Sequence, residues 1–286
     1  MKKVAILPNV QKDKGLETTK RLVKYLVEKG CEPQLSRTVA ELAEMPQYAM
    51  EDAELYSHSD LLISLGGDGT LLGIGRRTAR FNKPILGINL GTLGFLTAEE
   101  KTHAEEAINK VLNGEFKLEK RMMLECSIAK DNERTGGIIA LNDICITRGN
   151  LYKILEFRVY VNNEYVDTLL ADGVIICTPT GSTAYSLSVG GPVVDPMCRC
   201  FILSPLAPHN LTMRPVVVPD SVAIELQLMS RGSDAFISLD NRTFRLKDGA
   251  KIRICLAEEQ LILATSHNNT FYDTLRNKMM WGIDPR

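Results

Sequence analysis

Hydrophobic residues recur along this chain in two rhythms, and the change between them falls near residue 116. Before it, short apolar runs alternate with stretches of helical spacing. Val4–Leu7 is an apolar run stopped by Pro8. Residues 16–29 carry Leu22, Val23, Leu26 and Val27 at helical intervals and end at Gly30, a residue suited to a left-handed cap. Glu32–Leu35 predicts a second strand and residues 48–57 a short helix. Leu61-Leu62-Ile63-Ser64-Leu65 is apolar without alternation, as a strand covered on both faces is. A helix is predicted over 71–80, a buried strand over 84–89, and a helix over 102–113 with Thr102 as its cap and Gly114 after it. Strand and helix in alternation imply a parallel sheet flanked by helices, a Rossmann-like α/β region.

From 116 to about 265 the period drops to two, as in Phe157–Val161, Val222–Leu228 and Lys251–Leu256. Asn162-Asn163, Gly190-Gly191-Pro192, Pro219-Asp220 and Lys247-Asp248-Gly249 supply turns between such runs. This reads as an all-β, sandwich-like region. Residues 270–280 have a helical pattern again, and that helix is expected to pack back on the first region. The expected division is therefore 1–115, 116–265 and a helical tail at 266–286.

Composition narrows the classes. With 286 residues, 44% hydrophobic and 24% charged, the chain can bury a sizeable core. A formal net charge of −1 gives no overall field for nucleic acid or an anionic membrane. No apolar run approaches the roughly 18 residues of a membrane span, and the start lacks the pattern of a secretory signal. The expected location is the cytoplasm. The cysteines number seven, and Cys126, Cys145, Cys177 and Cys255 lie inside apolar runs, as small buried hydrophobes do. His58, His103, His209 and His267 are scattered, so no protein-held metal site is expected.

Chemistry concentrates in three segments. Ser64-Leu65-Gly66-Gly67-Asp68-Gly69-Thr70-Leu71 runs from a buried strand through glycines into a helix. Glycines let a ligand approach the backbone, and the helix start offers unpaired N–H groups to an anion, so the segment reads as a phosphate cradle. A carboxylate there needs a reason, either a divalent cation or a hydroxyl nucleophile, and both belong to kinases. The bland alternative is a tight turn with Asp68 as helix N-cap. The second segment, Leu170–Ser188, passes from a buried strand into a loop rich in hydroxyls, suited to a ligand with ribose hydroxyls and amides, or else an ordinary loop of Ser/Thr turns. The third is Asn142-Asp143, a polar pair in an apolar strand, or alternatively at a strand end or bulge.

Together these segments resemble the NAD kinase family over nearly the whole chain. Gly66–Thr70 is similar to its G-G-D-G-T signature, Asn142-Asp143 to its asparagine–acidic pair, and Thr178–Pro192 to its long T-P-T-G-S-T-A-Y-S-L-S-x-G-G-P motif. Ile88–Leu96 and Pro208–Pro215 match two further stretches. The resemblance implies transfer of the γ-phosphoryl group of ATP to the 2′-hydroxyl of the adenosine ribose of NAD, giving NADP. It implies Asp68 as the catalytic residue and contacts to nucleotides from Gly66, Gly67, Asp68, Gly69 and Thr70. Asn142 and Asp143 would bind the adenosine half, with Lys153 and Asp172 also in contact. Thr183, Ala184, Tyr185, Ser186, Leu187 and Ser188 would line the dinucleotide site. ATP phosphates with Mg²⁺, or another divalent cation, would lie over the Gly66-Gly67-Asp68 loop, and the protein would be a homodimer or homotetramer.

The sequence departs from the family pattern at Asp240-Asn241-Arg242, where a D-G-Q or D-S-Q is usual, at Asn210 and at Leu170. These bear on how the dinucleotide is held. Three rivals remain: a non-catalytic NAD(H) sensor, and lipid kinases or 6-phosphofructokinases that share a G-G-D-G loop. The second and third lack the Thr178–Pro192 motif.

Overall fold

A computed structural model describes residues 3–97, 99–130, 133–149, 153–229, 234–265 and 270–280. The chain divides into two compact units, Met1–Lys120 with Leu261–Arg286, and Arg121–Gln260. Of the tail expected at 266–286, residues 266–269, with His267, and 281–286 lie outside the described residues.

The first unit alternates strand and helix: β1 (Lys3–Pro8), α1 (Glu17–Glu28), β2 (Glu32–Ser36), α2 (Arg37–Leu42), β3 (Ala49–Met50), α3 (Asp52–His58), β4 (Leu61–Gly66), α4 (Asp68–Thr78), β5 (Pro84–Asn89), β6 (Glu99–Glu100) and α5 (Ala104–Leu112). Its parallel sheet runs β3-β2-β1-β4-β5, with Val4 opposite Leu61 and Leu62 opposite Ile85. Every residue of β4 is buried, which is why its sequence shows no alternation. One face packs Ile6, Ile63, Leu65 and Ile88 against Leu22 and Leu26 of α1 and Ile108 and Val111 of α5. Successive strands lie to opposite sides of β1, so the sheet switches direction between β1 and β4. Open α/β sheets bind ligands at such a point, outside the carboxyl ends of the strands.

The second unit is antiparallel. After β7 (Lys117–Lys130) come β8 (Glu133–Ala140), β9 (Asp143–Arg148), β10 (Leu155–Val161), β11 (Glu164–Ala171), β12 (Gly173–Cys177), the one-turn α6 (Tyr185–Ser188), β13 (Cys200–Leu206), β14 (Val216–Pro219), β15 (Ile224–Met229), β16 (Ala235–Leu239), β17 (Arg242–Leu246) and β18 (Lys251–Thr265). One sheet runs β14-β13-β12-β9-β16-β17, and the other contains β11-β10-β15-β18. Phe157, Ile224 and Ile252 of the second sheet share a buried core with Ile144, Ile176, Phe201 and Ile237 of the first, a sandwich. Asn162 and Asn163 turn the β10–β11 hairpin with positive φ at both residues, 50° and 67°.

The end of β18 returns to the first unit, where Ile262 and Leu263 pair in parallel with Pro84 and Ile85. The last helix, α7 (Phe271–Met279), starts with a capping box in which Thr270 and Asp273 exchange hydrogen bonds. The α/β region, the β-rich region and the terminal helix are thus as the sequence implies.

Three local expectations are corrected. The helix expected over 48–57 begins at Asp52, because Ala49 and Met50 pair with Leu35 and Ser36 as a strand. Thr102 does not cap the next helix; it lies in a 3₁₀ turn, Lys101–His103, and its hydroxyl bonds Glu100. The helix expected from Leu71 starts at Asp68.

Candidate nucleotide site

In the first unit the loops after β1 and β4 meet. Asn9 N–H donates to the Leu65 carbonyl at 2.7 Å, and the Asn9 amide donates to Thr70 Oγ1 at 3.1 Å. Gly66 is required for close packing, since a Cβ there would lie 2.4 Å from Thr70 Oγ1. Gly67 occupies the N-cap position, so the free N–H groups of α4 begin at this glycine bend. The ammonium of Lys12 lies 3.1 Å from where a Cβ on Gly67 would be. Lys12 thus reaches the bend from the opposite side of the switch point, a position invisible to sequence reading until β1 and β4 are known to be neighbours.

Asp68 is the first residue of α4, but its side chain does not cap the helix. The N-cap alternative is therefore wrong. The carboxylate turns toward the loop after β5: Oδ2 accepts Phe95 N–H at 2.7 Å, while Oδ1 accepts Leu96 N–H at 3.1 Å, Thr97 N–H at 3.0 Å and the Thr97 hydroxyl at 2.9 Å. Asn89 braces the same loop, donating to the Thr92 carbonyl at 2.8 Å and to Thr97 Oγ1 at 2.7 Å. On the far side Phe271 of α7 packs on Phe95 with centroids 6.1 Å apart, and Lys278 places its ammonium 5.3 Å from the Phe95 ring centroid. Asp68 is half-buried, with Gly69 exposed beside it.

In the second unit the Asn-Asp pair stands at a strand boundary rather than inside a strand: β8 ends at Ala140 and β9 begins at Asp143. Asp240, in the β16–β17 turn with φ of 52°, holds it there. Its carboxylate accepts Leu141 N–H and Asn142 N–H at 2.9 Å each and Asp143 N–H at 3.3 Å, and its own N–H returns to the Asp143 carbonyl at 3.0 Å. Burial first, and the Asp240 carboxylate second, push Asp143 up to about 7. The Asn142 Oδ1 atom is buried without a hydrogen-bond partner.

The hydroxyl-rich segment lies against this pair. Thr178 donates its hydroxyl to the Leu141 carbonyl at 2.6 Å, and its N–H to Asn142 at 2.9 Å. Gly181 passes so close that a Cβ would be 2.1 Å from the Asn142 carbonyl oxygen. Several hydroxyls that looked available for a ligand face inward: Ser182 bonds the Val194 backbone, and the buried Ser186 shares a hydrogen with Ser204 at 3.1 Å. Thr183, Ala184 and Leu187 are half-buried, and Tyr185 and Ser188 are exposed. Burial first, and then Cys145 and Asp143, push the Tyr185 hydroxyl up. Asp172 pairs with Arg148 at 2.8 Å, and Lys153 is exposed just before β10. The departing arginine, Arg242, lies over the Phe244 ring at 5.1 Å.

No group of three or more His, Cys, Asp or Glu side chains among the described residues is placed to hold a metal ion. No helix among them is long and apolar enough to cross a membrane.

Comparison with known proteins gives a consistent result. Residues 4–116 match the ATP-NAD kinase N-terminal domain, and residues 141–265 match the ATP-NAD kinase C-terminal domain. An NAD kinase of Thermoanaerobacter sp. (strain X514) is 44% identical over 280 residues, 98% of this chain and 99% of the relative. One from Geotalea daltonii is 38% identical over 283 residues, 99% of each chain. Among solved structures, yeast NADH kinase complexed with NADH superposes with a TM-score of 0.88 at 27% identity, covering 100% of this chain and 89% of that one. An NAD kinase from Archaeoglobus fulgidus in complex with ATP gives 0.78 at 27% identity, covering 97% and 98%.

Proposed function

The chain belongs to the ATP-NAD kinase family and is an ATP-dependent NAD kinase, and from that premise we propose that Asp68 is the residue that receives the proton of the NAD ribose hydroxyl. The reaction joins the 2′-oxygen of the adenosine ribose to the γ-phosphorus of ATP and breaks the bond from that phosphorus to the β–γ bridging oxygen. ADP leaves with the bond's electrons, and the hydroxyl proton passes to Asp68 and then to solvent. A sugar hydroxyl is far less acidic than a carboxylic acid, so little alkoxide forms beforehand. In a loose phosphoryl-transfer transition state none is required, and the proton moves late.

The observation that carries this reading is the way Asp68 is held. Three donors converge on Oδ1, but Oδ2 accepts only Phe95 N–H among the described residues. Oδ2 therefore retains acceptor capacity for a hydroxyl, while the other oxygen anchors the side chain. The phosphates of ATP lie over Gly66, Gly67, Gly69 and Thr70, on the free N–H groups of α4, with Lys12 as the local cation. Asn142, Asp143, Tyr185, Asp172, Lys153 and the surface of Thr183–Ser188 take the dinucleotide. The partnerless Oδ1 of Asn142 supports this: a buried acceptor without a donor costs about 1–3 kcal/mol, which a ligand donor offsets. Ser186 shapes the segment from beneath.

A divalent cation fits here as part of the substrate. The phosphates over the glycine bend would hold it, since Mg²⁺ keeps several waters and is commonly bound through substrate phosphates. When bound it neutralises charge on the transferring group. We read the protein as cytoplasmic, which suits its seven free cysteines, and as a homodimer or homotetramer on the family likeness.

The test is Asp68→Asn, assayed for NADP⁺ formation with ATP and Mg²⁺. General-base assistance is worth about 10²–10⁴-fold, so turnover falls by at least that lower figure while the fold persists. Turnover above roughly a tenth of the parent rate would refute the assignment.

A further inference from the structure

Three side chains hydrogen-bond in series through the loop between β5 and β6, and the series ends on the acid. Asn89 is the last residue of β5 and stands opposite Gly66 in the register with β4. Its side-chain amide has only one orientation that satisfies its neighbours. Oδ1 accepts Gly91 N–H at 2.8 Å, and Nδ2 donates one hydrogen to the Thr92 carbonyl at 2.8 Å. The second hydrogen of Nδ2 goes to Thr97 Oγ1 at 2.7 Å. The Thr97 oxygen is therefore an acceptor toward Asn89, and its single proton is left for Oδ1 of Asp68 at 2.9 Å. An ionised carboxylate has no hydrogen to donate, so the sense of the series, from Asn89 to Thr97 to Asp68, is fixed from both ends. Thr97 is 0% exposed and Asn89 3%, so bulk solvent does not compete for these groups.

We propose that Thr97 is a positioning residue for phosphoryl transfer: its hydroxyl, oriented by Asn89, commits Oδ1 of Asp68 to the protein and leaves Oδ2 to the reacting sugar hydroxyl. The inference rests on the reading of Asp68 as the proton acceptor. Thr97 supplies two of the three donors on Oδ1, its N–H at 3.0 Å and its hydroxyl, beside Leu96 N–H at 3.1 Å. Oδ2 has Phe95 N–H alone among the described residues. The last torsion of an aspartate is broad, so unrestrained oxygens exchange places readily. A hydrogen bond to a charged oxygen is stronger than one between neutral groups, and the Thr97 hydroxyl narrows that torsion. With no exposed surface of its own, Thr97 acts on the reaction through Asp68.

Thr97→Val keeps the branched shape and removes the donor. The expected result is a fall in kcat of about tenfold or more, with KM for NAD and for ATP each within about twofold of the parent. Thr97→Ser, which keeps the hydroxyl, restores kcat to within about threefold of the parent. Thr97→Val in the Asp68→Asn background separates a role through the acid from support of the loop: there kcat changes by less than about twofold, because the group being positioned is gone. A thermal melt accompanies each variant, and should Thr97→Val be too unstable to assay, Thr97→Ala against Thr97→Ser gives the same comparison. An undiminished kcat in Thr97→Val would overturn the proposal, as would an equal loss in both backgrounds or a serine variant as slow as the valine one. Failure of the Asp68 reading shows separately, as an Asp68→Asn enzyme that keeps its turnover with Thr97 in place.

Discussion

A methyl group on Gly94 would lie 1.8 Å from Oδ1 of Asp68. The carboxylate therefore occupies space that any other residue at position 94 would fill, and Gly94 fixes where the acid can be. Gly94→Ala is expected to push the carboxylate off the Phe95–Thr97 amides. A misplacement of about 1 Å can cost roughly 10²-fold in rate, so kcat should fall by about that factor. The check is steady-state kinetics beside a thermal melt; a full-rate Gly94→Ala enzyme would show that the carboxylate need not be held there.

Lys12 meets Gly67 from the loop after β1. Lys12→Ala is expected to raise KM for ATP by about tenfold, since a charge-assisted contact to phosphate is worth about 1.5–3 kcal/mol, while KM for NAD stays put. ADP affinity of this variant should also lose part of its dependence on salt. Equal effects on both substrates would assign Lys12 to the structure of the loop instead.

Asp143 titrates near neutrality in the folded chain, at about 7 against an ordinary 3.8. The sign follows from proton counting. The folded state holds the proton up to about pH 7, whereas the unfolded chain releases it near pH 4. Ionised Asp143 thus costs stability, and the loss builds as pH rises from about 4 to about 7 and is complete above that. Asp143→Asn, the neutral analogue, should melt close to the parent at pH 4 and above it at pH 8, by on the order of a few kcal/mol at most. Urea unfolding at the two pH values measures the difference, and a gap independent of pH would exclude Asp143 as its source.

At Gly181 the constraint is backbone against backbone: an added Cβ would come within 2.1 Å of the Asn142 carbonyl oxygen. Gly181→Ala must separate the Thr178 segment from the Asn142-Asp143 corner. Overpacking of this kind costs about 1–3 kcal/mol. Because Asn142 moves with it, KM for NAD should rise more than KM for ATP. Chemical denaturation and a two-substrate kinetic comparison test both halves of the statement.

How much of this the sequence discloses depends on whether a signal is local. The strand Leu61–Gly66 is readable because burial on both faces removes alternation. The terminal helix is readable because its spacing is a local signal, and it forms over Phe271–Met279. The start of α4 is hidden by its glycines, whose low helix propensity masks a helix that begins at Asp68. The helix Arg37–Leu42 is too short to show a period and depends on its Ser36 cap, whose hydroxyl accepts Val39 N–H at 3.4 Å. In the candidate site, Asp68 and the Asn142-Asp143 pair stand out by composition. Their supports do not, since Phe95–Thr97 lie 27 to 29 residues from Asp68 and Asp240 lies 97 to 99 residues from the backbone it holds. Counting hydroxyls also misleads at Ser182 and Ser186, because composition is blind to which side of a segment faces inward.

The pairing of Ile262 with Pro84 and the packing of Phe271 on Phe95 set an order of events during synthesis. The first unit obtains a strand and a helix from segments made after the entire second unit. A nascent chain that has emerged only as far as Lys120 carries Gly66–Thr70 but leaves β5 without its partner at Pro84 and Ile85 and has no buttress behind Phe95. Competence of the acid is thus a late event in the ribosome's work, and a fragment ending there would be a poor enzyme whatever its sequence retains.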